Sequence, residues 1–304
     1  MSFNERITIG IPVYNSEKFI RKHIESIFLQ TNQQFRIIIS NNGSTDNTSE
    51  ICEELSKTYD KITFFNHEKN RGAYWNFNFI LEQVKTEYFV MAAPDDIWSK
   101  NFLESNTNIL DKCKDFVGSI GNCSVFTREK NTENNEIKIK HLENHNKFQY
   151  VHPVEGNFEE RIKFYLNFNM GAQYYSVFRT KDIQYANFFN DKKNYGMWQA
   201  DLATILKILK KGKLNVDTNS SFYKEVSSTS NSIIGYMRKM NFSGIDIIFS
   251  KIIFCNWFLR EFGFRMYFQN LGSLTRYNLA WGNTICGEIL RMIKRSISGK
   301  GKYW

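Results

Sequence analysis

Asp95 and Asp96 close an apolar run, Phe89-Val90-Met91-Ala92-Ala93-Pro94, and are the acids of this chain best placed to meet a cation. Two carboxylates at the exit of a buried strand are costly unless a positive charge offsets them, and a divalent ion carrying a phosphate does so. The pair is the candidate site for such a cation. A third carboxylate, Asp201, stands three residues after Trp198 and four before Ile205. The apolar positions around it (Trp198, Leu202, Ile205, Leu206 and Leu209) follow helical spacing, so Asp201 falls at the edge of an inner stripe. Partial burial there raises a carboxyl pKa and makes it a better proton acceptor. Two plainer readings stay open: a first-turn Asp favoured by the helix dipole for Asp201, and a helix cap ahead of Ile97-Trp98 for Asp95 and Asp96.

Three other apolar runs end in the same way. Residues 7–13 lead into Pro12-Val13-Tyr14-Asn15, residues 35–39 into Ser40-Asn41-Asn42-Gly43-Ser44-Thr45-Asp46, and residues 62–65 precede Asn70-Arg71-Gly72. Asn15, Asn41, Asn70 and Asp95 are 26, 29 and 25 residues apart, the spacing of repeated strand–helix units. Helical patterns fill the gaps. Phe19, Ile20, Ile24, Ile27 and Phe28 share a face, as do Ala73, Phe77, Ile80, Leu81 and Val84. Asn47 is placed to cap the intervening helix, with Glu50 as the capping-box acid. Strands alternating with helices of this length predict a mainly parallel sheet, whose ligands bind beyond the carboxyl ends of the strands. All four polar motifs then converge on one crevice.

Further along, residues 116–126 read as a strand, 128–147 as a polar excursion, 170–178 as a strand, 198–211 as a helix stopped by Gly212, and 214–216 as a return to the sheet. The expected division is 1–219 as an α/β domain and 220–304 as a helical, basic, aromatic-rich extension. Residues 235–304 hold 11 Lys and Arg against 3 Asp and Glu, so eight of the nine net positive charges lie there. Ile285, Ile289, Met292 and Ile293 share a helical face beside Arg291, Lys294 and Arg295. With Trp257, Trp281, Tyr303 and Trp304, that pattern suits a segment lying on an anionic membrane; a helical subdomain packed on the first domain is the alternative. Nucleic acid is not an expected partner, because the aromatics sit in apolar runs rather than among basic groups.

The remaining composition sets limits. Five scattered cysteines without a C-x-x-C pair predict reduced thiols and a cytoplasmic setting. No signal sequence is visible, and the apolar stretch 252–259 is far shorter than the roughly 20 residues of a membrane span. The five histidines lack metal-ligand spacing; His141 and His145 read as surface residues. Neither a nucleophile elbow nor a P-loop occurs.

The ordered set Ile9-Gly10-Ile11-Pro12-Val13-Tyr14-Asn15, Ser40 to Asp46, Asn70-Arg71-Gly72 and Asp95-Asp96 resembles the signature of family 2 glycosyltransferases over roughly the first 215 residues. The resemblance implies a GT-A fold, that is, a Rossmann-like, mixed but mainly parallel sheet flanked by helices. It also implies a nucleotide-sugar donor, expected here to be a UDP-sugar, and inversion at the anomeric carbon. By position, Pro12, Val13, Tyr14, Asn15, Asn41, Asn42, Asn70, Arg71, Gly72, Asp95 and Asp96 would contact the donor. Asp95 would hold Mn²⁺ or Mg²⁺, and Asp201 would be the catalytic base. Gln173, Tyr174 and Trp198 are acceptor-side candidates. The acceptor would be a glycan or a lipid-linked hydroxyl in cell-surface glycoconjugate synthesis, on the inner face of the cytoplasmic membrane. The chain departs from the family at Asn41 and Asn42, where two acids are usual, and at Ala93, where a first acid often stands. A nucleotidyltransferase, or an inactive nucleotide-sugar-binding or membrane scaffold module, are the alternatives.

Overall fold

The computed structural model describes residues 5–130, 137–141, 151–168, 171–187, 200–225 and 244–297. Trp198 and the C-terminal Tyr303-Trp304 lie outside them. The first half alternates as expected: β1 (Ile7–Val13), α1 (Ile20–Phe28), β2 (Phe35–Asn42), α2 (Thr48–Thr58), β3 (Ile62–His67), α3 (Ala73–Gln83) and β4 (Tyr88–Met91). There follow β5 (Ile97–Trp98), α4 (Phe102–Lys112), β6 (Phe116–Lys130), β7 (Ile137–His141), α5 (Phe158–Phe168), a 3-10 turn (Gly171–Tyr175), β8 (Val177–Arg179), α6 (Thr180–Ala186), α7 (Ala200–Ile208) and β9 (Lys213–Glu225). Two long helices, α8 (Gly244–Gln269) and α9 (Leu271–Ile297), form the extension.

One sheet joins the nine strands in the order β3-β2-β1-β4-β8-β6-β9-β5, with β7 on the far part of β6. The block β3-β2-β1-β4 is parallel, so its carboxyl ends share one edge. β8 runs antiparallel to both β4 and β6, and β9 runs parallel to β6. The strands alternate between two cores. Ile37, Ile39, Tyr88 and Val90 face α1, α2 and α4, whereas Ile38, Phe89 and Met91 face α3, α5, α6 and α7.

Three expectations change. Residues 170–178 do not form one strand: Gly171–Tyr175 is a 3-10 turn and only Val177–Arg179 pairs, because Gln173 closes the turn through Ser176. Asn47 does not cap α2 with its side chain; it donates to Glu17, and the neighbouring Asp46 carboxylate accepts the Thr48 N–H at 3.1 Å. The boundary at 219/220 falls inside β9, which runs to Glu225.

The extension shares a core with the sheet. Phe254, Trp257, Phe258 and Leu274 pack in one cluster with Val117, Phe178, Leu206 and Leu214. We therefore expect one cooperative unfolding transition for the whole chain. Phe258→Ala, at a fully buried site, should lower its free energy by about 3–5 kcal/mol. Urea titration followed by both fluorescence and circular dichroism checks this; two separate transitions would mean that the extension folds by itself.

Candidate active site

The four polar motifs meet at the carboxyl edge of the parallel block and are locked together by side chains. Asn15 has left-handed backbone (φ 52) and its Oδ1 accepts the Thr45 N–H at 2.8 Å, tying the first loop to the second. Asn41 donates to Asn66 at 2.8 Å and accepts from the Ser44 hydroxyl. Asn42 donates to Asn70 Oδ1 at 2.9 Å and to the Gly72 carbonyl at 3.1 Å, and accepts the Arg71 N–H at 3.0 Å. Both asparagines are buried with their amides in use, so they shape the loops that would meet a base rather than reach it themselves. Val13 also turns its side chain into the core. Of the nucleotide-side candidates, Tyr14, Asn15, Asn70 and Arg71 remain exposed, with Arg71 lying 4.6 Å over the Trp75 ring. Gly43 makes the junction possible. Its φ is +66, and a Cβ there would sit 2.6 Å from the Lys69 carbonyl carbon.

Strand register brings the acids to this edge. β8 runs antiparallel to β4 with Phe89 opposite Phe178, so the 3-10 turn before β8 lies beside the residues that follow β4. β5 pairs antiparallel with β9, Ile97 opposite Tyr223, which puts Asp96 next to Lys224 and Glu225. Because Ile97-Trp98 is a strand, Asp95 and Asp96 do not cap a helix. Their roles diverge. Asp95 is partly exposed, whereas Asp96 is 3 % exposed and its Oδ1 accepts the Glu225 N–H at 3.0 Å. Burial pushes the Asp96 carboxyl up to about 7 against the opposing pull of Lys224. Two cations that sequence reasoning passed over attend the pair. Lys224 lies 4.4 Å over the Tyr175 ring, and its pKa is raised: burial opposes the charge, and Tyr175, Asp96 and Asp95 favour it. Arg128 pairs with Glu225, stacks on Phe19 and Phe126, and interacts with both Asp95 and Asp96.

Asp201, in the first turn of α7, approaches from the other wall. A Cβ on Gly171 would lie 3.9 Å from its Oδ2, so the carboxylate borders the 3-10 turn. Three tyrosines feel its charge. Burial and then the Asp201 charge raise the phenol pKa of Tyr165 on α5, Tyr174 on the turn and Tyr277 on α9. Tyr175 joins the two walls. Burial of its hydroxyl pushes its pKa up to about 12, and Asp96, Asp95 and Asp201 all add to the rise while Lys224 opposes it. The three carboxylates thus act on one phenol. Tyr277 is a contribution of the extension to this wall that its sequence context gave no sign of.

Gln173 belongs to the scaffold. It is fully buried, donates to the His152 carbonyl at 2.9 Å and accepts from Ser176 at 3.1 Å, so it cannot reach an acceptor. His23 was missed as well. It occupies the inner face of α1, donates through Nδ1 to the Asp96 carbonyl at 3.2 Å and packs on Trp98. Its spacing from Ile20 and Ile27 was the available signal. Among the described residues, no three His, Cys, Asp or Glu side chains converge as a metal cage. Asp95 instead offers one carboxylate at an open edge, which fits an ion held mainly by phosphate oxygens and water.

Burial lowers the His23 pKa from 6.5 to about 4. A depressed histidine must charge to unfold, so its contribution is whole above pH 6.5 and is lost as pH falls toward 4, by up to about 3 kcal/mol. Denaturant titrations at pH 7 and pH 5 should show His23→Gln gaining on the wild type at the lower pH; a constant difference would contradict the burial argument. Gly43→Ala should displace the 69–72 segment and lower stability by about 1–3 kcal/mol, read by the same titration.

The Glycosyl transferase family 2 profile matches residues 8–183. The teichoic acid poly(glycerol phosphate) polymerase of Staphylococcus epidermidis is 35% identical over 126 residues, 41% of this chain and 17% of that protein. The chain spans 17% of the length of the first curated relatives that it matches. Among solved structures, the S. aureus TarS 1–349 complex with UDP-GlcNAc superposes with a TM-score of 0.55 at 16% identity, over 83% of this chain and 67% of that one. The mannosyltransferase PcManGT from Pyrobaculum calidifontis, in complex with GDP-Man and Mn²⁺, gives 0.58 at 14% identity, over 98% of this chain and 76% of that one. These two likenesses show a shared GT-A fold. The match covers more than half of the chain and includes the loops just described, and so the protein belongs to glycosyl transferase family 2.

Proposed function

We propose that the chain transfers a sugar from a nucleotide diphosphate sugar to an acceptor hydroxyl, with inversion, across the cleft between Asp95 and Asp201. The observation that carries this reading is the antiparallel pairing of β8 with β4, which sets the 3-10 turn bordered by Asp201 beside the residues that lead from β4 to Asp95. The base and ribose lie along Tyr14, Asn15, Asn70 and Arg71, on loops held by Asn41 and Asn42. Solved complexes with UDP-GlcNAc and with GDP-Man support a nucleotide-sugar donor of this general kind; a UDP-sugar is our choice.

Asp95 would hold a divalent ion, Mn²⁺ or Mg²⁺, which when bound offsets charge on the departing diphosphate. Lys224 and Arg128 stand beside Asp95 and add fixed positive charge for the same diphosphate. Asp96 orients the Asp95 turn by anchoring it to β9. Asp201 takes the proton from the acceptor hydroxyl as it attacks the anomeric carbon. Tyr165 and Tyr277 lie within electrostatic reach of that carboxylate. The acceptor is a glycan or lipid-linked hydroxyl in cell-surface glycoconjugate synthesis. The enzyme would work at the inner face of the cytoplasmic membrane, in contact with anionic lipid through its basic extension. No helix among the described residues is long and apolar enough to cross a membrane.

Asp201→Asn should lower transfer by about 10²–10⁴-fold with donor affinity unchanged, measured by product formation and by calorimetry. Wild-type turnover in this variant would remove the base assignment. Asp95→Ala should weaken UDP-sugar binding in Mn²⁺ and leave the chelator-treated affinity as it was; equal loss in both conditions would argue against the ion at Asp95.

A further inference from the structure

α8 breaks at Gly263, whose backbone (φ 80, ψ 170) is not helical. The last turn before Asn270 is therefore thrown out of line with the rest. Met266 anchors that turn in the core, and Asn270 closes it by donating to the Met266 carbonyl at 2.9 Å. Held in this way, the elbow presents Phe264 and Phe268 to solvent, 71% and 64% exposed, with their rings stacked at 6.5 Å. Leu271 at the start of α9 is exposed beside them, and Phe168 is exposed at the end of α5. Asn167 meets Ser273 and Arg276, which brings that end of α5 against the start of α9. Arg265, next to Phe264 in the chain, is exposed and bridged to Glu159 at 3.1 Å, and Arg276 on α9 donates to Asn167 at the end of α5.

Exposed, stacked phenylalanines on a rigid turn are costly in water and need a partner. We infer that this elbow docks onto an anionic phospholipid bilayer, with Phe264, Phe268 and Leu271 entering the headgroup boundary and Arg265 and Arg276 meeting lipid phosphates. Charge complementarity selects this occupant, since Arg260, Arg265 and Arg276 are exposed in the residues that flank the two phenylalanines. The elbow lies on the surface and does not span it. It also differs from the face around Ile285 and Ile289 that the sequence suggested, because Ile285 is buried.

The docking deepens the proposed function and rests on it for its purpose. Tyr277, whose phenol feels Asp201, is six residues beyond Leu271 on the same helix, a rise of about 9 Å. A docked elbow therefore brings the wall that carries Asp201 close to the bilayer, where a lipid-linked hydroxyl would be presented.

Sedimentation of the full-length protein with phosphatidylcholine–phosphatidylglycerol vesicles, and with phosphatidylcholine alone, tests this without any donor or acceptor. Wild type should bind the anionic vesicles at low salt and weaken as salt rises. The double variant Phe264→Ser/Phe268→Ser should bind at least about tenfold more weakly, with an unchanged melting curve because both rings are exposed. Leu29→Ser, at an exposed apolar site just after α1, should bind as wild type does. Three results would overturn the inference: no wild-type binding to anionic vesicles at low salt, undiminished binding by the double variant, or a lipid-free dimer that the double variant abolishes. Calorimetry with a UDP-sugar on the same samples reports on the donor reading separately, so the failure of one is told from the failure of the other.

Discussion

The carboxylate of Asp96 is the constraint around which the site is built. It is taken out of water immediately before β5 and met by one main-chain N–H from β9 and by the nearby charge of Lys224. A carboxylate so placed is tolerable only if both partners hold their positions. Those positions exist because β5 folds back to pair with β9, which fixes Asp96 against Lys224 and Glu225. The same turn leaves Asp95 facing the open edge. A buried acid therefore sets the direction of an exposed one.

The opposite wall depends on a change of strand direction. β8 runs against β4, so the turn that precedes it carries Tyr174 and Tyr175 to the place where β4 ends. α7 packs behind that turn and brings Asp201. α9 then adds Tyr277 from the far end of the chain. Residues 95, 175, 201, 224 and 277 are distant in sequence, and only the mixed sheet joins them. The helical extension is part of this arrangement, since its aromatic core is continuous with that of the sheet.

The parallel half was legible in the sequence, and for a plain reason. β1, β2 and β4 are short, apolar and buried on both faces, β3 is a partly exposed edge strand, and each leads to a polar loop at regular spacing. Asn15, Asn70, Arg71 and Asp95 followed directly from that pattern. The antiparallel half was not legible to the same degree, because its contacts come from pairing rather than from local periodicity. Nothing in the local sequence singles out Lys224 or Arg128; β6 and β9 bring them near Asp95. Gln173 and Asn42 looked like ligand-facing amides, yet Gln173 closes its own turn and Asn42 ties β2 to the 70–72 loop. His23 was readable as an inner-face residue of α1, but its bond to the Asp96 carbonyl needed the fold. The exposed pair Phe264 and Phe268 was hidden within a run of aromatics that mostly pack inward.

A structure of the protein with a UDP-sugar and Mn²⁺ tests the central claim most directly. The account predicts diphosphate density beside Asp95 and Lys224, with the anomeric carbon open toward Asp201 across the cleft. A donor bound elsewhere, or one whose anomeric carbon is screened from Asp201 by packed side chains, would contradict it.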